Sequence, residues 1–157
     1  MKITIIAIGK TNIGFVIQGV DEYIKRLKRY VKVELQIIPD VKNSKSLSVP
    51  QLIQKEEELL INALSIDAHT VLLDERGKQC TSLELSSLIE SKMISGTKEL
   101  VFVIGGAYGV SEAVKHRANE QLSMSKLTFS HQMIRLILAE QIYRAMTIIR
   151  GEPYHHE

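Results

Sequence analysis

The feature that most constrains the fold is a short apolar run, LVFVI at residues 100–104, which is followed directly by Gly105-Gly106. A strand that is apolar at every position is buried on both faces, which is typical of a parallel sheet covered by helices. Glycines have no Cβ atom, so a ligand can approach their main-chain N–H groups closely. Open α/β sheets bind small molecules at the carboxyl ends of central strands. We therefore expect a ligand cleft at the glycine loop that extends from here to Gly109.

Other apolar segments alternate with segments of helical spacing, so the sequence predicts an α/β fold, a parallel-rich sheet flanked by helices. The length fits one domain spanning residues 1–157. The predicted strands cover residues 2–8, 31–38, 69–73 and 100–104, with a fifth short strand within 122–129. The predicted helices cover residues 14–30, 48–65, a segment after Thr81, 111–119 and 130–149. The strand at 31–38 alternates apolar and polar residues, which favours a position near the sheet edge.

Residue types at the predicted helix ends support these boundaries. Ser48 is a candidate N-cap, Thr81 and Glu84 have capping-box spacing, and Gly151 is a candidate C-terminal stop. We interpret residues 74–78 as a charged turn and the three glutamates at 56–58 as a solvated helix face.

The last helix is apolar at nearly every angle between Met133 and Ile149, which indicates that more than one of its sides is covered. A second copy of the chain in a two-fold homodimer is the simplest second cover. The alternative is a central helix in a monomer. Glu140 and Arg144 are four residues apart and form a favourable helical pair.

Composition limits the possible partners and compartments. Twenty Lys and Arg against 18 Asp and Glu leave a net charge of +2, so any nucleic-acid binding must come from a local basic patch. Cys80 is the only cysteine, which excludes an intrachain disulfide and suits a reducing, cytoplasmic protein. The histidines lack zinc-site spacing, so no metal is expected. The first apolar segment is too short for a signal sequence or a membrane span, so we expect no membrane association.

Three motifs have both a functional and a structural interpretation. The GGxxG at 105–109 is not a dinucleotide fingerprint, and two glycines after a strand alone often mark only a turn. The dipole of the helix after Cys80 could lower the pKa of the thiol, although a lone cysteine is usually a small packed residue. The tail after Gly151 places an aromatic residue and two imidazoles beyond a rigid helix, which favours a functional role. The structural interpretation of the same tail is a frayed end.

Over its whole length the chain resembles the RlmH (YbeA-like) family of bacterial ribosomal RNA large-subunit methyltransferases, which belong to the SPOUT superfamily. The resemblance rests on KITIIAIGK at the start, VFVIGGAYG, LSMSKLTFSHQMIRLILAEQIYRA and the GEPYH tail. It implies a deep trefoil knot at the C-terminal end of the fold, a homodimer, and S-adenosylmethionine as methyl donor. The implied product is a pseudouridine of 23S rRNA methylated at N3, within the 70S ribosome or large subunit.

The resemblance also implies which residues form the site. The donor-binding positions fall on the ends of strands and on one later loop: Leu73, Gly105, Gly106, Met124, Ser125, Lys126, Leu127, Thr128 and Phe129. The positions associated with the active site or with RNA fall on the last helix, its approach and the tail: His131, Arg135, Arg144, Tyr154 and His155. The family commonly ends in Tyr-His-Arg, whereas this chain has His156 in the last of these positions.

Roles can be assigned because methyl transfer needs no protein nucleophile, only positioning and removal of the N3 proton. We expect His155 to take that proton, Tyr154 to stack on or hydrogen-bond the base, and Arg144 to bind phosphate or carboxylate. His131, Arg135 and His156 are the RNA-binding candidates. The tail is expected to fold over the cleft of its own chain or to reach the partner's. The structural alternative is a stabilising Glu140–Arg144 pair and a tail that is ordered only by crystal or partner contacts.

Two other classes of function fit the residues alone. One is a nucleotide-binding α/β domain whose glycine loop holds a phosphate, and the other is a non-catalytic ribosome-binding protein. A thermal shift with ATP or NAD and none with S-adenosylmethionine would favour the first, and methyl incorporation into ribosomes would exclude the second.

Overall fold

The computed structural model describes residues 1–155 and contains five strands, five helices and one short 3-10 turn in that range. The strands are β1 (Lys2–Ile8), β2 (Lys32–Ile38), β3 (His69–Gln79), β4 (Glu99–Ile104) and β5 (Glu120–Ser123). The helices are α1 (Gly14–Leu27), α2 (Val49–Ala63), α3 (Ser82–Ile94), α4 (Glu112–Arg117) and α5 (Met133–Ile149), and the 3-10 turn is Ser44–Ser46. The predicted alternation of strands and helices is confirmed, with end shifts of a few residues in α1 and α5.

All strand pairs are parallel, and the sheet order is β2-β1-β4-β3-β5. β4 is central: Phe102 lies between Ile5 of β1 and Val71 of β3. β2 is an edge strand, as its alternating pattern predicts. The α/β class predicted from the apolar run at 100–104 is therefore correct, while a C-terminal knot stays a prediction.

Both faces of the sheet are covered, which explains why β4 is apolar at consecutive positions. Leu100, Phe102 and Ile104 join a core with α1, α3 and α5. Val101 and Val103 point to the other face, where they join a core with α2 and α4. Because alternate residues of a strand face opposite sides, each side chain of β4 has a helix layer against it.

The helix-end signals in the sequence act as predicted. Ser48 and Thr81 both form complete capping boxes, with Gln51 and Glu84 as their partners. Gly151 follows α5 with a φ of 65°, and its N–H donates to the carbonyl of Ile148. These contacts lie within a few residues of each other, so they depend little on the rest of the fold.

β3 is longer than predicted. The prediction that residues 74–78 form a turn is wrong in part, because the strand resumes and continues to Gln79 after an irregularity between Leu73 and Lys78. Both of these residues pair with Leu122 of β5, so residues 74–77 bulge out of the ladder. At Gly77 a Cβ atom would lie 2.7 Å from backbone atoms of Leu122, and the bulge therefore depends on glycine there.

The interpretation of the three glutamates as a solvated face is wrong for Glu56, which is only 8% exposed. Glu58 is exposed as predicted. Glu56 lies on the side of α2 that faces the glycine loop, since a Cβ atom at Gly106 would be 2.4 Å from its carboxylate. Spacing alone did not distinguish it from its neighbours.

The last helix is covered largely within the chain. α5 packs between α1 and α3 on one face of the sheet, so Ile142 is completely buried. This arrangement matches the alternative of a central helix in a monomer. Several apolar residues along the helix are nevertheless only half-buried, namely Ile134, Leu136, Ile137, Ile148 and Ile149. The homodimer stays a prediction. No helix within residues 1–155 is both long enough and apolar enough to cross a membrane.

Candidate active site

A cleft of about 590 Å³ opens at the carboxyl edge of the sheet, beside the ends of β3, β4 and β5. Three segments line it: the bulge at residues 74–76, the glycine loop at 105–110 and the segment 123–131. The cleft expected at the glycine loop is therefore present. Because the carboxyl ends of parallel strands share one edge, segments far apart in sequence meet there.

Most of the residues predicted to bind the donor line this cleft. They are Leu73, Gly105, Gly106, Met124, Ser125, Leu127, Thr128 and Phe129. Lys126 is the exception, because its side chain is exposed and is not part of the lining. The fold thus brings together the two regions that the sequence links only by resemblance.

The glycine loop is tightly closed. The Gly109 N–H donates to the Gly106 carbonyl at 3.2 Å, and Gly109 has a φ of 83°, which side chains rarely adopt. A Cβ atom at Gly105 would lie 2.5 Å from Cγ1 of Val110, so it would strike the loop itself and not only the open cleft. The loop therefore needs glycine for its own closure as well as for access to its main chain.

The opposite wall, residues 123–131, is held by its own serines. The Ser123 hydroxyl donates to the Ser125 carbonyl at 2.9 Å, and the Leu127 N–H donates to the Ser125 hydroxyl at 2.9 Å. The Ser130 hydroxyl accepts from the Met133 N–H at 3.2 Å and opens α5. The alternating pattern predicted for a strand continues beyond β5 as this serine-braced turn.

Sequence reasoning missed a charged rim on the cleft. Asp74, Arg76 and Lys115 line it, with Lys115 Nζ 4.0 Å from Asp74 Oδ2. The Arg76 N–H also donates to Asp74 Oδ1 at 2.8 Å. The available signal was the charged stretch directly after the third strand, at the edge where ligands bind.

Arg135 is misassigned as an RNA-binding candidate, because it is 1% exposed. Its guanidinium donates to the carbonyls of Ile8, Gly9 and His131 and to the Thr11 hydroxyl. Burial lowers the pKa of Arg135, although the charge of Asp40 opposes that effect. A guanidinium held by four internal acceptors is a structural link between the end of β1 and the start of α5.

His131, another RNA-binding candidate, is half-buried and lines the cleft. Burial and then the charge of Arg135 lower its pKa, which favours the neutral imidazole. Its position at the cleft is compatible with a contact to substrate. His156, the third candidate, lies outside the described residues.

The three predicted catalytic residues form one cluster on α5 and the tail. Glu140 Oε1 accepts from Arg144 Nη2 at 2.7 Å and from the Tyr154 hydroxyl at 3.2 Å. The Tyr154 ring meets Tyr143 edge-on at 4.8 Å between ring centroids, and Arg144 Nη1 lies 3.4 Å from His155 Nδ1. Burial is the largest of the effects that raise the pKa of Tyr154.

This cluster does not line the cleft of its own chain. Of the two arrangements expected for the tail, the one over the cleft of its own chain does not hold for Tyr154 and His155, while the one at the partner's cleft stays a prediction. Residues 152–155 of the tail are not frayed either, because Glu152 accepts from the Tyr30 hydroxyl at 2.5 Å and Tyr154 packs on α5. The Glu140–Arg144 pair predicted from spacing is confirmed.

Cys80 is a packed residue and not an activated thiol. Burial raises its pKa, and the charge of Glu84 raises it further. In the described part of the chain, no three His, Cys, Asp or Glu side chains are grouped so that they could hold a metal ion.

Comparisons with known proteins agree with this architecture. The family model described as predicted SPOUT methyltransferase matches residues 1–155. Two similar relatives are each named ribosomal RNA large subunit methyltransferase H, and both align over the full length of both chains. The protein from Parabacteroides distasonis is 55% identical over 157 residues, and the one from Bacteroides thetaiotaomicron is 53% identical over 157 residues.

Solved structures with low sequence identity share the fold. A probable methyltransferase from Bordetella pertussis has a TM-score of 0.58 at 12% identity, covering 92% of this chain and 93% of its own. The tRNA (m1G37) methyltransferase from Aquifex aeolicus has a TM-score of 0.58 at 15% identity, covering 100% of this chain and 75% of its own. With a family match over nearly every residue and full-length relatives above half identity, the chain belongs to the SPOUT methyltransferase family.

Proposed function

We propose that this SPOUT methyltransferase transfers a methyl group from S-adenosylmethionine to N3 of a pseudouridine in 23S rRNA, on the assembled 70S ribosome or the large subunit. The observation that carries the proposal is the cleft between the glycine loop and the 123–131 wall, together with full-length relatives named for ribosomal RNA methylation. Family membership argues against the alternative of an unrelated nucleotide-binding domain.

The residues of the cleft fit a donor of this kind. Leu73 and Leu127 offer apolar surfaces for an adenine ring, while the main chain of the glycine loop offers polar groups to its edges. When bound, the donor supplies a methyl carbon that is already electrophilic because it is attached to a sulfonium. The protein then has to exclude water, position the acceptor and remove one proton.

The proton on N3 is the part of the reaction that needs a side chain, and we assign it to His155. A neutral imidazole has one ring nitrogen with a free lone pair, so it can accept a proton. Arg144 Nη1 points at His155 Nδ1 at 3.4 Å, and because arginine only donates, this contact favours an Nδ1 that carries no proton. Tyr154 and Arg144 complete the site as a base contact and a phosphate or carboxylate contact.

These residues lie apart from the cleft of their own chain, which supports a homodimer in which each tail serves the partner's cleft. The half-buried apolar residues of α5 support the same arrangement, because they would be covered by a second copy. We place this dimer in the cytoplasm, acting on ribosomes and not at a membrane.

Methyl transfer to purified ribosomes tests the proposal. Labelled S-adenosylmethionine is supplied with 70S ribosomes whose 23S rRNA either carries or lacks pseudouridine. We expect label at N3 of one pseudouridine only in the modified ribosomes. Equal labelling of both preparations would contradict the proposed acceptor, and no labelling of either would indicate the non-catalytic ribosome-binding alternative.

A further inference from the structure

A second, smaller cavity of about 130 Å³ lies beside the donor cleft, near the carboxyl ends of β1 and β2. The two cavities share Gly106, Ala107, Tyr108 and His131, so they meet at the glycine loop and His131. Glu56 of α2 lines only the smaller one, which we call the Glu56 cavity. It adjoins the donor cleft directly and has a lining of its own.

Glu56 is a buried carboxyl group with one oxygen that accepts no hydrogen bond within residues 1–155. The residue is more than nine-tenths buried, and its Oε2 atom has no hydrogen-bond partner among residues 1–155. The carboxylate lies against Gly106, where any Cβ atom would collide with it. A buried acceptor without a donor costs free energy, so its retention calls for an explanation such as a ligand that supplies the donor.

The surroundings of Glu56 favour a cation. Asp40 lines the same cavity, and burial together with the charge of Asp40 raises the pKa of Glu56. Arg135 is near Asp40, but its guanidinium donates to main-chain carbonyls and Thr11, and none of its hydrogen bonds is to Glu56. Burial and the charge of Arg135 lower the pKa of His131, although the charge of Asp40 opposes this, so a positive charge on His131 is disfavoured.

An organic ammonium fits this chemistry better than a metal ion. The carboxylates of Glu56 and Asp40 and the imidazole of His131 are not grouped at metal-binding spacing in the described part of the chain. An ammonium carries three N–H donors, one of which would satisfy Glu56 Oε2. The ligand proposed for the adjoining cleft carries such a group on its methionyl tail.

We propose that the Glu56 cavity binds the α-ammonium group of S-adenosylmethionine, so that Glu56 anchors the tail of the donor from behind the glycine loop. This inference rests on the proposed function. Asp74 is the competing carboxylate in the donor cleft, but it already accepts from the Arg76 N–H and faces Lys115. The Oε2 atom of Glu56 has no such internal partner within residues 1–155.

Titration calorimetry with two ligands tests the assignment. One ligand is S-adenosylhomocysteine, and the other is its analogue in which hydrogen replaces the α-amino group. We expect the wild-type protein to bind the analogue about ten- to a hundredfold more weakly, the scale of a charge-assisted hydrogen bond. Glu56→Gln should bind both ligands with similar affinity. Glu58→Gln, which changes an exposed glutamate of the same helix, should retain the wild-type preference.

Several results would overturn the assignment. One is a folded Glu56→Gln protein that keeps the full preference for the amino group, and another is loss of that preference in Asp74→Asn instead. If Glu56→Gln does not fold, Glu56→Met replaces it, and a folded Glu56→Met protein that keeps the full preference counts against the proposal. Wild-type protein that binds both ligands equally refutes the Glu56 assignment alone, whereas failure to bind S-adenosylhomocysteine refutes the proposed donor as well.

Discussion

Arg135 illustrates at the scale of one residue why a charged side chain in a functional region need not contact substrate. Its guanidinium is planar with five N–H donors, and here it meets carbonyls from β1 and from the turn before α5. These acceptors sit at the start of the loop after β1 and at the rim of the cleft. The side chain therefore sets the relative position of two segments that are far apart in sequence.

We expect Arg135→Met to lower the free energy of unfolding by about 3–5 kcal/mol, because the change leaves buried acceptors without donors. Urea denaturation followed by circular dichroism measures this. Arg150→Met, at an exposed position just after α5, is the matched control and should change stability little. An Arg135→Met protein as stable as the wild type would contradict the structural role.

Glu56 predicts a dependence of stability on pH. Its pKa in the folded protein is raised above the ordinary value of 4.5, so its ionisation opposes folding. The stability that depends on protonated Glu56 is fully present below pH 4.5, and it is lost as the pH rises through the pKa of Glu56 in the folded protein. Glu56→Gln should therefore be more stable than the wild type at pH 7 by roughly 1 kcal/mol, the scale of an unpaired buried polar group.

The difference between Glu56→Gln and the wild type should shrink as the pH is lowered towards 4. Thermal melts at a series of pH values provide the measurement. A difference that does not change between pH 4 and pH 8 would show that Glu56 titrates normally.

At the scale of elements, the interruption of β3 connects sheet and site. Residues 74–77 leave the ladder, and the strand then pairs again with β5 at Leu122. The bulge sends Asp74 and Arg76 to the rim of the donor cleft. Bulges of this kind redirect side chains at the edge of a sheet and are common near active sites.

Gly77→Ala should disturb this element, because its Cβ atom would lie 2.7 Å from the backbone of Leu122, which cannot rotate away. We expect the free energy of unfolding to fall by about 1–3 kcal/mol, which is typical of overpacking, and the amide hydrogens of β5 to exchange faster. Hydrogen exchange followed by mass spectrometry measures the amide exchange rates of β3 and β5. Gly14→Ala is the control, since no atom lies within 4 Å of its Cβ position. Unchanged exchange at residues 120–123 would show that the bulge adapts.

At the scale of the whole molecule, the two candidate halves of the active site lie on different surfaces of one chain. The donor cleft is at the carboxyl edge of the sheet, while Arg144, Tyr154 and His155 form a cluster around Glu140 and Tyr143 of α5 that is not part of its lining. In the proposed two-fold dimer each such cluster would serve the cleft of the partner chain, and this is the reason to expect assembly.

Ile149→Lys should weaken the dimer, because the half-buried side chain would place an unpaired charge in the interface. Sedimentation velocity at micromolar concentration should show a dimer for the wild type and a larger monomer fraction for the variant. Ile142→Lys would test folding instead, since Ile142 is completely buried within one chain. Ile66→Lys, at an exposed site beyond α2, is the control for added charge. Monomeric wild-type protein would refute the dimer.

Removal of residues 152–157 should separate the catalytic and structural roles of the tail. We expect the methylation rate to fall by roughly a hundredfold, the scale of a lost acid–base group, while affinity for the donor is mostly retained. Stability should fall by about 1–2 kcal/mol, because the contacts of Tyr154 with Tyr143 and Glu140 are lost.

Single substitutions in the tail sharpen this test in single-turnover assays on ribosomes. His155→Ala should reproduce most of the loss in rate with little loss of stability. Tyr154→Phe keeps the ring but removes the hydroxyl that donates to Glu140, so it separates packing from hydrogen bonding. A truncated protein that methylates ribosomes at the wild-type rate would contradict a catalytic tail.

The sequence by itself determined those features that depend on neighbouring residues. The apolar run at 100–104 required a sheet covered on both faces, and Ser48 and Thr81 fixed helix starts through hydrogen bonds three residues away. The glycine loop after this strand likewise marked the edge of the sheet where a ligand cleft lies, whereas the segment 124–129 was linked to it only by the family resemblance. In each case the physical cause lies within one element or one turn.

Only the tertiary structure decided which charged residues are internal. Arg135 and Glu56 have nothing in their local spacing that distinguishes them from surface residues, and each is buried by segments more than forty residues away. The bulge in β3 likewise exists because β5 pairs on both sides of it. The tail lies on α5 because Tyr143 and Glu140 meet Tyr154 there and not at the cleft. These features depend on packing between distant segments, which no local pattern encodes.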